Sequence, residues 1–241
     1  MIANNVKRLW SEGHTVLNGW LSVASPFTAE IMAAQGYDSV TIDIQHGLVG
    51  YETATTMLQA MRASGVTPMV RVPWLSPGDI MKALDAGAYG IICPMINNAE
   101  EARQLVSCVR YPPLGARSFG PTRVTFSAGQ DYGQHADNEV LCFAMIETAD
   151  AVKNIEAIVN TPGLDGIYIG PADLTLGLTG RKYRTGFSPE YAARAAQWGF
   201  DLVTVSNDVQ LLRSAATASV GQFRQLTGAA SATMDQPEGG Y

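Results

Sequence analysis

Seven short, nearly unbroken apolar runs rich in β-branched residues recur along the chain, at 16–23, 39–43, 68–72, 90–94, 141–147, 166–170 and 202–206. Continuous apolar character suits strands covered on both faces, and their alternation with helix-length segments predicts a parallel sheet with crossover helices. The helices are expected at 26–35, 51–64, 77–86, 98–109, 151–159 and 189–198, with a last one starting near Asp208. Local signals mark their ends. Ser25 stands as an N-cap with Pro26 at the first helical position. Gly65 and Gly87 stand as C-cap glycines, and Tyr111-Pro112-Pro113 stops the fourth helix.

This order predicts a single-domain TIM (β/α)8 barrel over residues 1–241, a length that such barrels commonly have. Two stretches break the rhythm. Residues 113–139 are too long for an ordinary barrel connection and carry Gly, Pro, Arg and aromatic residues, as a lid, an interface element or plain surface filler would. From Pro171 to Phe200 there are 30 residues where a full barrel needs a helix, a strand and a second helix, so strand seven is not located. An irregular barrel is one explanation. The favoured one is a missing stretch between Phe187 and Ser188, because the helix after Ser188 reads as an intact unit joined abruptly.

Composition narrows the function classes. Apolar residues make up 46% of the chain, enough for one sizeable core. The formal charge is −6 and the 16 Lys and Arg are scattered, so no nucleic-acid footprint is expected. The start of the chain has no apolar leader, and no run approaches membrane-spanning length. Cys93, Cys108 and Cys142 are widely spaced and odd in number, which predicts buried reduced thiols rather than a zinc site. Together these features predict a soluble, cytoplasmic protein.

In parallel β/α folds, chemistry gathers at the carboxyl ends of the strands. Four strands here end on polar residues: Asp43-Ile44-Gln45-His46 after the second, Arg71 in the third, Glu147 after the fifth, and Gly170-Pro171-Ala172-Asp173 after the sixth. Singly, each has a structural reading, as a turn cap, an ion pair or a helix cap. Jointly they would bring two acids, a cation and a base to one rim. Glu147 and Asp173 come from adjacent strands, and two carboxylates held close repel each other unless one protonates or a cation lies between them. Mg2+ or Mn2+ fits such a pair, with Co2+ also compatible. A 2-oxo acid would offer it two oxygens, and the ion would act as a Lewis acid on the enolate. His46 is the proton carrier, with Asp43 beside it, and Arg71 steadies the enolate charge. A carboxylate pair for glycoside hydrolysis is the alternative chemistry, but few aromatic platforms for a sugar are visible. The lysines Lys7, Lys82, Lys153 and Lys182 lie away from strand ends, which argues against Schiff-base chemistry. The backbone N–H groups near Ala172 suit a small carboxylate, although Pro171 donates none.

At these residues the sequence resembles the HpcH/HpaI family of class II, metal-dependent pyruvate aldolases. The marks are Gly19-Trp20-Leu21, Ile42-Asp43-Ile44-Gln45-His46, Val70-Arg71-Val72, the segment from Tyr111 to Arg117, Met145-Ile146-Glu147-Thr148, and Ile169-Gly170-Pro171-Ala172-Asp173-Leu174. The resemblance implies that Glu147 and Asp173 bind the metal, that His46 is the base, that Arg71 stabilises the enolate and that the backbone of Ala172 contacts substrate. It also implies that Asp85 raises the basicity of a histidine. Asp85 is expected at the far end of a helix, so it would reach a histidine only across a subunit boundary. The family's usual hexamer, a trimer of dimers whose barrels exchange their last helix, allows that crossing. Two departures stand out: Gln45 replaces a common Glu, and Met145 replaces a common Gln that contacts substrate. The expected reaction is reversible aldol cleavage and addition, with pyruvate or hydroxypyruvate as nucleophile and an aldehyde as acceptor. A CoA-thioester lyase of the citrate-lyase β-subunit type is the alternative, and a non-catalytic oxo-acid-binding barrel is a third reading.

Overall fold

The computed structural model describes residues 1–182 and 188–228. The chain enters through α1 (Asn5–Ser11) and then alternates through β1 (Val16–Leu21), α2 (Pro26–Ala33), β2 (Ser39–Asp43), α3 (Tyr51–Ala60), β3 (Thr67–Arg71), α4 (Pro77–Asp85), β4 (Gly90–Cys93) and α5 (Ala99–Val109). Two short helices follow, α6 (Val124–Ala128) and α7 (Tyr132–Glu139). The alternation resumes with β5 (Leu141–Ile146), α8 (Ala149–Lys153), α9 (Ile155–Val159), β6 (Gly166–Ile169), α10 (Pro171–Thr179), α11 (Pro189–Gln197), β7 (Leu202–Asn207) and α12 (Asp208–Thr227). The expected caps are present. Ser25 accepts from the Thr28 N–H ahead of Pro26, and Gly65 closes the turn after α3 at φ 77°, where only glycine sits without steric cost.

All seven strands are parallel, in the order β6-β5-β4-β3-β2-β1-β7. β6 and β7 are the two edges of this sheet, yet the Tyr168 hydroxyl lies 2.8 Å from Thr204 Oγ1. A flat sheet would hold these edges five strands apart, so the sheet is curled and its edges face each other. The closed (β/α)8 barrel is therefore only partly realised: seven strands form a curled half-barrel, and no eighth strand lies between β6 and β7 among the described residues. Phe187, and with it the junction where a stretch was expected to be missing, lies outside the described residues. Along this seam the strands stay half-buried, α10 has no fully buried residue and α12 has only Asp208, because nothing described covers them.

The two faces of the curl have separate cores. The outer one packs the helices on the convex face through residues such as Ile42, Val70, Ile91 and Ile146. The inner one gathers Val16, Trp20, Met69, Ile92, Leu141, Phe143 and Met145. Its lower end is plugged by α1, an element that the hydrophobic pattern did not announce. Val6 is fully buried there, and Trp10 meets the Phe143 ring edge-on at 6.0 Å. The stretch 113–139 is likewise more ordered than a lid or filler. Tyr132, Val124, Ala128 and Ala136 are buried in the outer layer, and Arg117 lies over the Tyr111 and Tyr132 rings. Among the described residues, no helix is long and apolar enough to cross a membrane. The three cysteines are free and buried.

Candidate active site

Strand parity decides which side chains enter the curl. Successive residues of a strand face opposite ways, so Leu141, Phe143, Met145 and Glu147 share one face, as do Met69 and Arg71, and Ser39, Thr41 and Asp43. The residues expected to be functional are thus the last inward rung of each column, above the apolar inner core. Register sets their heights: Asp43 stands beside Arg71 on neighbouring strands, and Met145 beside Tyr168.

Asp43 and Arg71 form a two-point ion pair, with Arg71 Nε 3.0 Å from Oδ1 and Nη2 2.6 Å from Oδ2. Both side chains are nearly buried, 3% and 11% exposed, so the pair holds as a rigid unit rather than as a solvated surface contact. Burial opposes the charge on Asp43. The bonds and charge of Arg71, with the backbone N–H groups of His46 and Gln45, outweigh it and hold the carboxyl below its ordinary range. The same two N–H bonds shape the chain after β2 and carry the exposed His46 side chain to the rim. Asp43 is thus the anchor of this group. Gln45 places its side-chain oxygen in a buried position without a partner.

Trp20 was not expected to take part, although it sits in one of the quoted motifs. Its indole N–H donates to Asp43 Oδ2 at 3.3 Å, and its ring lies 4.8 Å from the Arg71 guanidinium carbon. Parity with Val16 and Asn18 was the signal that could have placed it. Arg71 keeps one arm uncommitted to carboxylate: among the described residues, Nη1 meets the Met145 sulfur, at 4.0 Å. A thioether is a weak acceptor, so this nitrogen remains available to a stronger one.

Glu147 is 2% exposed, and its Oε1 accepts the Met95 N–H at 2.8 Å. Burial lifts its carboxyl above the ordinary range. Met95 offsets part of that, nearby Asp173 adds to it, and Arg71 lowers it again. Asp173 is thus near enough for its charge to act on the Glu147 carboxyl. Gly170 makes room for Glu147 and Met145: a Cβ there would lie 2.4 Å from Glu147 Oε2 and 2.8 Å from the Met145 methyl carbon. Asp173 and Ala172 are exposed in the first turn of α10, behind the N-cap Gly170, where backbone N–H groups lack helical partners. Among the described residues, no third His, Cys, Asp or Glu joins the two carboxylates in a cluster.

Asp85 does not share this rim. It ends α4, near the start of β4 and so at the opposite end of the sheet, and it accepts from Arg117 Nη2 at 2.6 Å. Burial raises its carboxyl and Arg117 partly offsets that. The structure thus assembles His46, Asp43, Arg71, Met145, Glu147, Ala172 and Asp173 at the carboxyl rim and sets Asp85 apart.

The chain is thus a protein with a curled parallel β/α sheet that carries two acids, an arginine and a histidine at its carboxyl rim. The profile of the HpcH/HpaI aldolase/citrate lyase family matches residues 17–197, and the chain belongs to that family. It is 38% identical over 250 aligned positions to a hydroxypyruvate/pyruvate aldolase of Rhizorhabdus wittichii, covering 92% of this chain and 100% of that one. A second hydroxypyruvate/pyruvate aldolase, of Chromohalobacter salexigens, is 35% identical over 241 positions, covering 88% and 95%. Among solved structures, an HpcH/HpaI aldolase/citrate lyase family protein from Burkholderia cenocepacia matches with a TM-score of 0.83 at 28% identity, over 91% of this chain and 98% of that one. The expected enzyme class, a carbon–carbon lyase of the aldolase type, agrees with these relatives.

Proposed function

We propose that the chain catalyses reversible aldol addition and cleavage of a 2-oxo acid, pyruvate or hydroxypyruvate, with an aldehyde as partner and a divalent cation held by Glu147 and Asp173. The observation that carries this is the placement of those two carboxylates at the mouth of the curl, where the charge of Asp173 raises the cost of charging the buried Glu147. The donor set fits the ion: both ligands are hard oxygens, and with no third His, Cys, Asp or Glu in the cluster among the described residues, several positions are left for water and substrate. Mg2+ or Mn2+ suits such a set and Co2+ is compatible; when bound, the ion supplies Lewis-acid polarisation of the substrate ketone.

The chain's own residues do the rest. Arg71 Nη1, turned toward Met145 rather than Asp43, donates to the oxygen that gains charge as the enolate forms. The Ala172 N–H, in the first turn of α10, holds the substrate carboxylate. Asp43 and Trp20 fix the guanidinium, so that little reorganisation accompanies charge development. In the direction of addition, His46 takes a proton from C3 of the oxo acid to leave the enolate. C3 then bonds to the aldehyde carbon as the aldehyde's C=O π pair moves onto oxygen, and His46 delivers that proton to the resulting alkoxide. In cleavage His46 takes that proton back. Met145 lines the substrate space with an apolar, pliable side chain. The names of the two long-matching relatives, both hydroxypyruvate/pyruvate aldolases, support free oxo acids over a CoA thioester.

The assembly in this reading is a hexamer built as a trimer of dimers, with α12 exchanged between barrels and Asp85 acting on a histidine of another subunit. Its support is the exposure of α12: Leu212, Val220, Phe223 and Leu226 are 69%, 50%, 64% and 79% exposed, an apolar face that a second copy would cover. The free buried thiols support a cytoplasmic location. The test is deuterium exchange at the pyruvate methyl group with added Mn2+, followed by aldol cleavage. Exchange that stops in chelator and in Asp173→Ala supports the reading. Full exchange and cleavage in chelator-treated protein would overturn it.

A further inference from the structure

The loop between β4 and α5 contains an arrangement that the expected site residues do not explain. Met95 has φ 58°, the one left-handed non-glycine residue among those described. A methionine there is sterically disfavoured, and such conformations persist when their surroundings impose them. What this conformation achieves is visible: it turns the Met95 N–H onto Glu147 Oε1 at 2.8 Å.

Asn97 is bonded to both sides of this contact. Its side-chain Nδ2 donates to the Met95 carbonyl at 2.7 Å, and its Oδ1 accepts the hydroxyl of Thr148, the residue after Glu147. A single amide therefore ties the donor that holds Glu147 to the backbone that carries Glu147. Asn97 is itself fixed on its other sides. Its N–H donates to Glu101 Oε2 at 2.6 Å, and its carbonyl accepts from Asn154 Nδ2 at 2.9 Å. Thr148 is locked as the N-cap of α8, accepting from the Ala151 N–H at 3.0 Å. Rotation of the Asn97 side chain would break both bridges at once.

We infer that Asn97 is a positioning residue for the candidate cation site: by holding Met95 left-handed it fixes Glu147 Oε1 and so presents Oε2 toward Asp173. The inference rests on the reading of Glu147 as a ligand. Glu101 and Thr148 set the amide, the amide sets the peptide, and the peptide sets the carboxylate. Partners that orient a ligand in this way affect metal affinity by one to two orders of magnitude.

The experiment is Mn2+ titration of the purified full chain, read by the electron paramagnetic resonance of the free ion, with thermal melts of the metal-free proteins as a folding control. Glu147→Gln tests the underlying reading, since unchanged Mn2+ affinity there would remove Glu147 as a ligand. Given loss in Glu147→Gln, Asn97→Ala is expected to bind Mn2+ at least tenfold more weakly. Asn97→Asp should do the same, because it keeps an acceptor for Thr148 but has no donor for Met95. Glycine reaches φ 58° unaided, so Met95→Gly in the Asn97→Ala background should restore affinity to within about threefold of the parent. A merely structural Asn97 predicts lower melting temperatures with no such rescue. Parental Mn2+ affinity in folded Asn97→Ala and Asn97→Asp overturns the inference, as does a folded double variant that stays as weak as Asn97→Ala.

Discussion

Gly170→Ala adds one methyl group at the junction of β6 and α10, and the structure allows its effect to be worked out. Gly170 has φ −93° and ψ 90°, a conformation open to alanine, so the backbone itself is not strained. The added Cβ would fall 2.4 Å from Glu147 Oε2, 3.0 Å from Glu147 Cβ and 2.8 Å from the Met145 methyl carbon. Contacts under 3.0 Å are essentially never tolerated, so Oε2 must retreat by at least about 0.6 Å, the step from 2.4 to 3.0 Å. The methionine methyl can swing away, but Glu147 is held at Oε1 by Met95 and is buried. Overpacking of this kind costs about 1–3 kcal/mol. For a chain of this length that corresponds to roughly 2–12 °C in melting temperature. The displaced oxygen is the one proposed to face the cation, so Mn2+ affinity and cleavage rate should each fall at least tenfold, about 1.4 kcal/mol. Thermal melts, Mn2+ titration and steady-state aldol cleavage read the three effects. Gly177→Ala is the control: it lies in the same helix with nothing within 4 Å of its added Cβ, and helix propensity should make it neutral or stabilising. A Gly170→Ala protein with parental Mn2+ affinity and parental activity would refute the placement of Glu147 at the reactive centre.

Asp43→Asn leaves the buried Arg71 charge without its carboxylate and should destabilise the fold by about 3–5 kcal/mol, measured by urea unfolding at pH 7. The parent's Asp43 carboxyl titrates below its unfolded value, so its contribution is full above about pH 4 and is lost as pH falls through the folded value. The parent–variant difference should therefore shrink on acidification; a constant difference from pH 7 to pH 3 would contradict the ion-pair account. His46→Ala should slow aldol cleavage by at least about a hundredfold while Mn2+ affinity stays within about twofold, and equal losses in both would deny it the proton-transfer role. Tyr168→Phe removes the hydroxyl that bonds Thr204 across the sheet edges and should cost about 1 kcal/mol. Hydrogen exchange should localise that loss to β6 and β7, and uniform protection would argue that the seam is held by other contacts.

What the sequence determined by itself was whatever short-range chemistry decides. The apolar runs at 39–43 and 166–170, the cap at Ser25 and the turn glycines at Gly65 and Gly87 depend on neighbours a few residues away, and each appears where the pattern placed it. Polar residues at strand ends were also legible, because Arg71 and Glu147 interrupt runs that are otherwise apolar. The tertiary structure decided what depends on distant partners. Closure of the sheet is a matter of strand pairing, and only the assembled curl shows β6 and β7 unpaired and bridged by Tyr168 and Thr204. The plug α1 and the helices α6 and α7 are too short to show a clear periodicity and take their stability from burial of Val6 and Tyr132. Met95 and Asn97 carried no signal in the chain, and Trp20 and Gly170 stood in motifs without a role of their own, since an indole, a backbone N–H, an amide and a hydrogen become consequential only when folding sets them against Asp43, Glu147 or Thr148. Asp85, by contrast, was legible as an acid, and the fold placed it at the opposite end of the sheet from His46 because a helix that follows a strand runs back toward that strand's start.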